Sequence, residues 1–163
     1  MKVRDQAGKL YAAESLAFQK SSEDMTLKEC QKFVDKVMSR SFVQRNYPWN
    51  RGQIVVHDGR RRRNAGATWR HGSYAILLPK WARNEFVILH EIAHHISGGS
   101  GHDYKYADCL LNLVRNVMGK EEALQLQAAF HFKAVKVIGK NGPVKARCPK
   151  EKKQWIQNLK VAL

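Results

Sequence analysis

Two segments near the start of the chain carry apolar residues at helical spacing. Residues Thr26 to Glu29 have the Thr-x-x-Glu pattern of a capping box, in which hydroxyl and carboxylate satisfy the free N–H groups of a helix start. The apolar positions that follow recur every three or four residues and predict a helix with one face on the core: Cys30, Phe33, Val34, Val37 and Met38. The same spacing predicts a shorter helix between Leu10 and Phe18.

Between residues 53 and 78 the pattern changes to short β-branched and apolar runs. These runs predict three strands, at residues Gln53 to His57, Ala65 to Arg70 and Ser73 to Leu78. The turn signals Asp58-Gly59 and His71-Gly72 lie between them. Two turns between three short strands are typical of an antiparallel meander.

The second half of the chain is predicted to be helical. Asn84 can cap a helix that runs to about Ser97, and a glycine-rich segment at residues 98–101 follows it. Two more helices are indicated by apolar residues at turn spacing. Residues 139–163 contain two prolines and a basic run, so we expect a loosely attached basic tail with a single helical turn near Trp155. The sum is an α+β domain at residues 1–138, a small antiparallel sheet of three strands packed with helices, followed by the tail.

One predicted helix carries a metal-binding pattern. The segment His90-Glu91-Ile92-Ala93-His94 matches HExxH, and at about 100° per residue its two histidines and its glutamate share one face. Two imidazoles one turn apart can bind the same zinc ion, at zinc–nitrogen distances of roughly 2.0–2.1 Å. Glu91 is then placed to take a proton from metal-bound water. The opposite face is apolar, so the helix divides into a chemical side and a packing side.

A catalytic zinc ion needs a third protein ligand and one open coordination position. We predict His102 as this ligand, because the glycines before it allow positive φ and a tight reversal of the chain. Asp103 is the alternative ligand, and its expected role is to orient a ligand instead. His95 lies at the margin of the metal face and is predicted to be a surface or supporting residue. Tyr106 is predicted to be an aromatic wall beside the ligand helix, with a hydrogen bond to the transition state as the alternative.

The charge of the chain is strongly positive. Lys and Arg number 29 against 14 Asp and Glu, which gives a net charge of +15 and favours contact with polyanions. The run Arg60, Arg61, Arg62 and Arg63 could meet successive phosphates of a nucleic acid without reading its sequence. An ordinary solvated turn is the other interpretation of the same run.

The cellular compartment is predicted from targeting segments, membrane spans and the spacing of the cysteines. The N-terminal residues lack the apolar stretch of a secretory signal, and no apolar run reaches the length of a membrane span. Cys30, Cys109 and Cys148 lie far apart without CxxC spacing, which suits buried thiols in a reducing environment. We therefore expect a cytoplasmic protein.

Four segments together resemble a family of zinc metallohydrolases from actinobacteria and their phages: Tyr11 to Glu14, Thr26 to Val34, Leu78 to Arg83 and Leu89 to His95. The similarity extends from about residue 11 to residue 137. The second metal motif of that family, a His-Gly-Pro-x-Phe-like segment that opens a helix, aligns with His102 to Tyr106, where Asp103 and Tyr104 replace Gly and Pro. More distantly, the pattern is similar to that of the SprT-like zincin peptidases, some of which act on proteins attached to DNA. The resemblance implies a zincin-like fold and hydrolysis at zinc.

These observations predict a zinc-dependent hydrolase that cleaves a protein or peptide substrate. In zincin-like folds the strand before the active helix is often the edge of the sheet, so residues Ser73 to Leu78 are expected to pair with an extended peptide. Two alternatives stay open. One is a basic nucleic-acid-binding protein with a structural metal, and the other is a peptidase recruited to DNA.

Overall fold

The computed structural model describes residues 5–18, 25–48, 52–70, 73–98 and 101–162. In these ranges the class is α+β, as the sequence predicts. The helices are α1 (Ala7–Ala17), α2 (Leu27–Met38), α3 (Ser41–Asn46), α4 (Glu85–Ile96), α5 (Tyr104–Val117), α6 (Lys120–Phe132) and α7 (Lys153–Ala162), with 3-10 turns at Lys80–Ala82 and Lys150–Lys152. The strands are β1 (Ile54–Asp58), β2 (Gly66–Arg70), β3 (Ser73–Leu78), β4 (Lys136–Gly139) and β5 (Gly142–Lys145).

The chain divides into two compact units, each with its own packing. One consists of Ser21–Ser97, and the other combines Met1–Lys20 with Gly98–Leu163. The first contains α2, α3, α4 and the three-stranded sheet. The second contains α1, α5, α6, α7 and the β4–β5 pair. No helix in the described ranges is long and apolar enough to cross a membrane.

The sheet of the first unit is mixed, so the predicted antiparallel meander is wrong. Its order is β1-β3-β2, with β1 parallel to β3 and β2 antiparallel to β3. The central strand β3 ends in four consecutive buried residues, Ala75 to Leu78. A continuous apolar run of this kind is typical of a strand that is covered on both faces and paired on both edges, whereas a meander edge strand needs only alternation. The expectation that β3 is an edge strand is therefore also wrong.

Helix α2 begins with the predicted capping box and packs on β1 and α4. The Thr26 hydroxyl accepts the Glu29 N–H at 3.2 Å, and the Glu29 carboxylate accepts the Thr26 N–H at 2.7 Å. The Thr26 N–H and the Thr26 hydroxyl both donate to the Glu29 carboxylate and hold the pKa of Glu29 below its ordinary value. Farther along the same helix, the Gln31 amide donates to the Ile54 carbonyl at 2.9 Å and accepts the Val56 N–H at 2.8 Å. The side chain of Gln31 thus joins α2 to the backbone of β1.

The C-terminal part of the chain is folded, so the predicted loose tail with one helical turn is wrong. Strands β4 and β5 form an antiparallel hairpin, which packs on α5 through β4. Helix α7 packs on α6 and buries Ile156. The strands have four residues each, too short for a clear alternation, although Asn141-Gly142 at the start of β5 is a hairpin turn signal that the sequence does carry.

Candidate metal centre

Helix α4 presents the HExxH residues from a well-defined start. Asn84 caps it, and its side-chain oxygen accepts the Val87 N–H at 2.9 Å. The apolar side of the helix is fully buried at Ile88, Leu89, Ile92, Ala93 and Ile96, as the predicted division requires. His90 and Glu91 are also buried, at 7% and 4% exposure, while His94 is half-buried. The His90 and His94 rings lie 5.1 Å apart, centroid to centroid, at an interplanar angle of 70°.

His102 lies in the turn immediately before α5. The glycines on either side of the turn adopt the left-handed conformation that we predicted for this segment, Gly98 at φ 62° and Gly101 at φ 59°. Asp103 is the N-cap of α5, and one of its carboxylate oxygens accepts the N–H groups of Lys105 at 2.9 Å and Tyr106 at 3.0 Å. Its position in the sequence therefore has a structural reason that does not involve a metal.

Two residues near the N-terminus hold the His102 side chain, and the sequence analysis missed both roles. The Tyr11 hydroxyl lies 3.1 Å from Nε2 of His102, and the Asp5 carboxylate lies 3.7 Å from Nδ1. Asp5 also accepts the backbone N–H of His102 at 3.3 Å. The rings of Tyr11 and Tyr106 each meet the imidazole edge-on at 4.9 Å. Tyr106 is fully buried, in agreement with the predicted aromatic wall.

The three histidines predicted as ligands lie close together. One ring nitrogen from each of His90, His94 and His102 can be chosen so that all three lie within 4.8 Å of one another. Two nitrogens bound to one tetrahedral zinc ion are roughly 3.4 Å apart at zinc–nitrogen distances of 2.0–2.1 Å. These histidines could hold a metal ion, and the group includes neither Glu91 nor Asp103.

His95 faces a different environment from the other histidines of α4. Its ring hydrogen-bonds to the backbone of Ala75 and lies 4.3 Å from the ring of Tyr74, centroid to centroid. Burial lowers the pKa of His95 below its ordinary value. This residue packs on β3 and is outside the group that could hold a metal.

The remaining histidines have separate positions. His57 is exposed on β1, and the His131 ring lies 3.0 Å, through Nδ1, from the Ala146 carbonyl. His71 lies outside the described residues.

Fold and site together define an α+β protein with a three-histidine group that could hold a metal ion beside a buried glutamate. No protein-family model, curated protein or solved structure matches the chain. The function must therefore be inferred from the chemistry of these side chains.

Proposed function

We propose that the protein is a zinc-dependent peptidase with a zincin-like fold, in which His90, His94 and His102 hold the ion and Glu91 is the general base. The observation that carries the proposal is the set of three imidazole nitrogens within 4.8 Å of one another, two of them on the helix that carries the buried Glu91. The resemblance to actinobacterial metallohydrolases supports the same assignment.

The composition of the ligand set favours a catalytic ion over a structural one. Structural zinc sites are closed by four protein ligands, usually with cysteine among them, whereas catalytic sites use three and leave one position open. Three histidines fit the second pattern. Imidazole nitrogen also suits zinc better than magnesium or calcium, which prefer oxygen ligands.

Glu91 supplies the general base that hydrolysis at a metal site requires. A zinc ion held by these histidines would supply a water of lowered pKa and would polarise a substrate carbonyl. The Glu91 carboxylate accepts the proton of the attacking water and passes it to the leaving nitrogen of the amide. Its 4% exposure keeps bulk water away from that transfer. A purely structural metal would give no reason for a buried carboxylate at this position.

The mode of substrate binding differs from the sequence-based expectation. Both edges of β3 are occupied, by β1 on one side and β2 on the other, so an extended peptide cannot pair with this strand. The outer strands of the sheet are β1 and β2. The proposal of an amide substrate therefore rests on the HExxH chemistry and on the resemblance rather than on strand addition.

The deciding experiment compares two glutamate-to-glutamine variants on the same helix. Purified wild-type protein, Glu91→Gln and Glu85→Gln are assayed for zinc content and for cleavage of a proteome-derived peptide library. Glu85 is an exposed residue in the first turn of α4, so its variant controls for the loss of one carboxylate. We expect zinc in all three proteins and cleavage lowered by several orders of magnitude only in Glu91→Gln.

The alternative, a nucleic-acid-binding protein with a structural metal, gives a different result in the same assay. It predicts bound zinc, no cleavage by the wild type, and no effect of Glu91→Gln on nucleic-acid binding. Cleavage that survives in Glu91→Gln would contradict the proposed mechanism directly.

A further inference from the structure

Two loops meet at one end of the three-stranded sheet because β1 and β3 run parallel. The last residue pair of their ladder joins Asp58 to Leu78, and the Gly59 N–H then donates to the Leu78 carbonyl at 3.0 Å. A Cβ atom on Gly59 would lie 2.4 Å from the backbone nitrogen of Pro79, so only glycine permits this approach. The loop after β1 and the 3-10 turn after β3 are thus held side by side.

The residues brought together there form a cationic surface around an exposed aromatic ring. Its members, which we call the arginine–tryptophan surface, are Arg61, Arg62, Arg63, Lys80 and Trp81, all of them exposed. Trp81 is 50% exposed, and its indole N–H donates to the Arg63 carbonyl at 3.1 Å. This hydrogen bond anchors the ring to the loop while leaving much of the indole open to solvent.

The positive charge of this surface is not neutralised locally. Arg60 is not a member of this surface because its guanidinium is paired with Asp58 at 3.0 Å, and Arg83 binds the other oxygen of the same carboxylate at 3.0 Å. Within the described residues, Arg61, Arg62, Arg63 and Lys80 have no carboxylate partner. The sequence predicted that four consecutive arginines would contact phosphates. The structure instead leaves three of these arginines and one lysine without a carboxylate partner in the part of the chain that it describes.

We propose that the arginine–tryptophan surface binds single-stranded nucleic acid. Stacking on an exposed indole requires an unpaired base, which a single strand offers and an intact duplex does not. The cations of the same two loops would contact phosphates of the bound strand, independently of sequence. A membrane would require several exposed apolar side chains, and Trp81 is the sole apolar member of this surface.

The inference is independent of the proposed hydrolase activity and is tested on the full chain. Fluorescence anisotropy of a labelled short oligothymidylate is recorded over a range of salt concentrations. For Trp81→Ala we expect a loss of affinity of about fivefold or more, while Trp81→Phe, which keeps a stacking ring, stays close to the wild type. For the double variant Arg61→Ser/Arg62→Ser, the slope of log affinity against log salt should fall by about 1.4.

Matched controls separate this surface from general positive charge. The double variant Lys36→Ser/Arg45→Ser removes two exposed cations from α2 and α3 of the same unit and should leave the slope unchanged. Thermal unfolding of every variant establishes that it is folded. An oligomer of abasic sugar-phosphate should bind the wild type and Trp81→Ala equally, because it has no base to stack.

Three results would overturn the proposal. The first is a Trp81→Ala variant that is folded and binds oligothymidylate as tightly as the wild type. The second is tighter binding to a duplex of the same length, which would assign the cations to double-stranded DNA. The third is binding to phosphatidylserine vesicles in preference to the oligonucleotide, which would assign the surface to a membrane.

Discussion

The Tyr11 hydroxyl lies 3.1 Å from Nε2 of His102, although 91 residues separate the two in the chain. Asp5 approaches the other ring nitrogen of the same histidine, and the segment between Asp5 and Tyr11 includes the first turn of α1. A histidine that binds a metal commonly has its second nitrogen fixed by a carboxylate. In the proposed site Nε2 would bind the metal, because Asp5 is on the Nδ1 side, and the Tyr11 hydroxyl would then give up its contact with Nε2.

The ligand assignment predicts a clear pattern of zinc loss. The variants His90→Ala, His94→Ala and His102→Ala should each lose most of the single zinc ion expected per chain, because three ligands become two. His95→Ala should keep it. Asp103→Ala should also keep it while losing about 1 kcal/mol of stability, since it removes the cap of α5. Metal analysis and urea unfolding measure both effects. Zinc retained by His102→Ala and lost by Asp103→Ala would make Asp103 the ligand.

If the proposed function holds, substitution of Asp5 should change zinc affinity, whereas substitution of Tyr11 should change kcat. Asp5→Asn weakens the carboxylate partner of His102 and should lower zinc affinity by about tenfold, measured by competition with a chelating dye. Tyr11→Phe keeps the ring that packs on His102 and removes only the hydroxyl. It should keep zinc affinity and lower kcat by about a hundredfold, with KM unchanged, if the hydroxyl donates to the transition state.

The kcat of Tyr11→Phe and the zinc affinity of Asp5→Asn test two separate roles, so each can contradict its own prediction. A normal kcat in Tyr11→Phe would limit this residue to packing, whatever the zinc measurements give. A normal zinc affinity in Asp5→Asn would show that the contact at 3.7 Å does not fix the ring. The exposed Asp35 of α2 offers a control substitution, Asp35→Asn, for which neither change is expected.

Asp108 predicts a dependence of stability on pH. Burial raises the pKa of this carboxyl above its ordinary value of 3.8, against smaller opposing contributions from the Ile138 backbone, Arg115 and Asn112. The folded state therefore holds the proton more tightly than the unfolded state, so stability is lost as the pH rises through the folded-state pKa. Asp108→Asn, which cannot ionise, should be more stable than the wild type at neutral pH.

The advantage of Asp108→Asn should shrink as the pH falls through the raised folded-state pKa of Asp108, because the folded wild-type carboxyl regains its proton there. Urea unfolding at several pH values measures the difference between the two proteins. A stability difference between the two proteins that does not change with pH would mean that folding does not raise the pKa of Asp108.

Local patterns predicted the parts of the fold that depend on neighbours in sequence. The capping box at Thr26 and the cap at Asn84 are satisfied within three residues, so their signals are complete in the sequence. The pairing of β1 with β3 depends instead on residues about twenty positions apart, and a period-two pattern does not encode strand order. Turn residues at Asp58-Gly59 indicated a hairpin, whereas Gly59 is required by its approach to Pro79.

The residues of the candidate site also fall into those that local sequence patterns predict and those that they do not. The HExxH residues could be found because their spacing is set by one helix turn, and His102 because glycines and a helix start surround it. Asp5 carries no comparable signal, and Tyr11 is marked only as the first residue of a segment that carries the family resemblance. Nothing in their own neighbourhood indicates that α1 lies against a histidine 91 positions away from Tyr11. Only the tertiary packing reveals them.

The amide of Gln31 has a consequence for the behaviour of the protein at high concentration. A strand at the border of a sheet presents backbone donors and acceptors to any extended chain, and this is a common route to aggregation. On β1 the Ile54 carbonyl and the Val56 N–H are already taken by Gln31. One neutral side chain thus leaves fewer free backbone groups on this border for intermolecular strand addition, which many proteins oppose with lysine or proline instead.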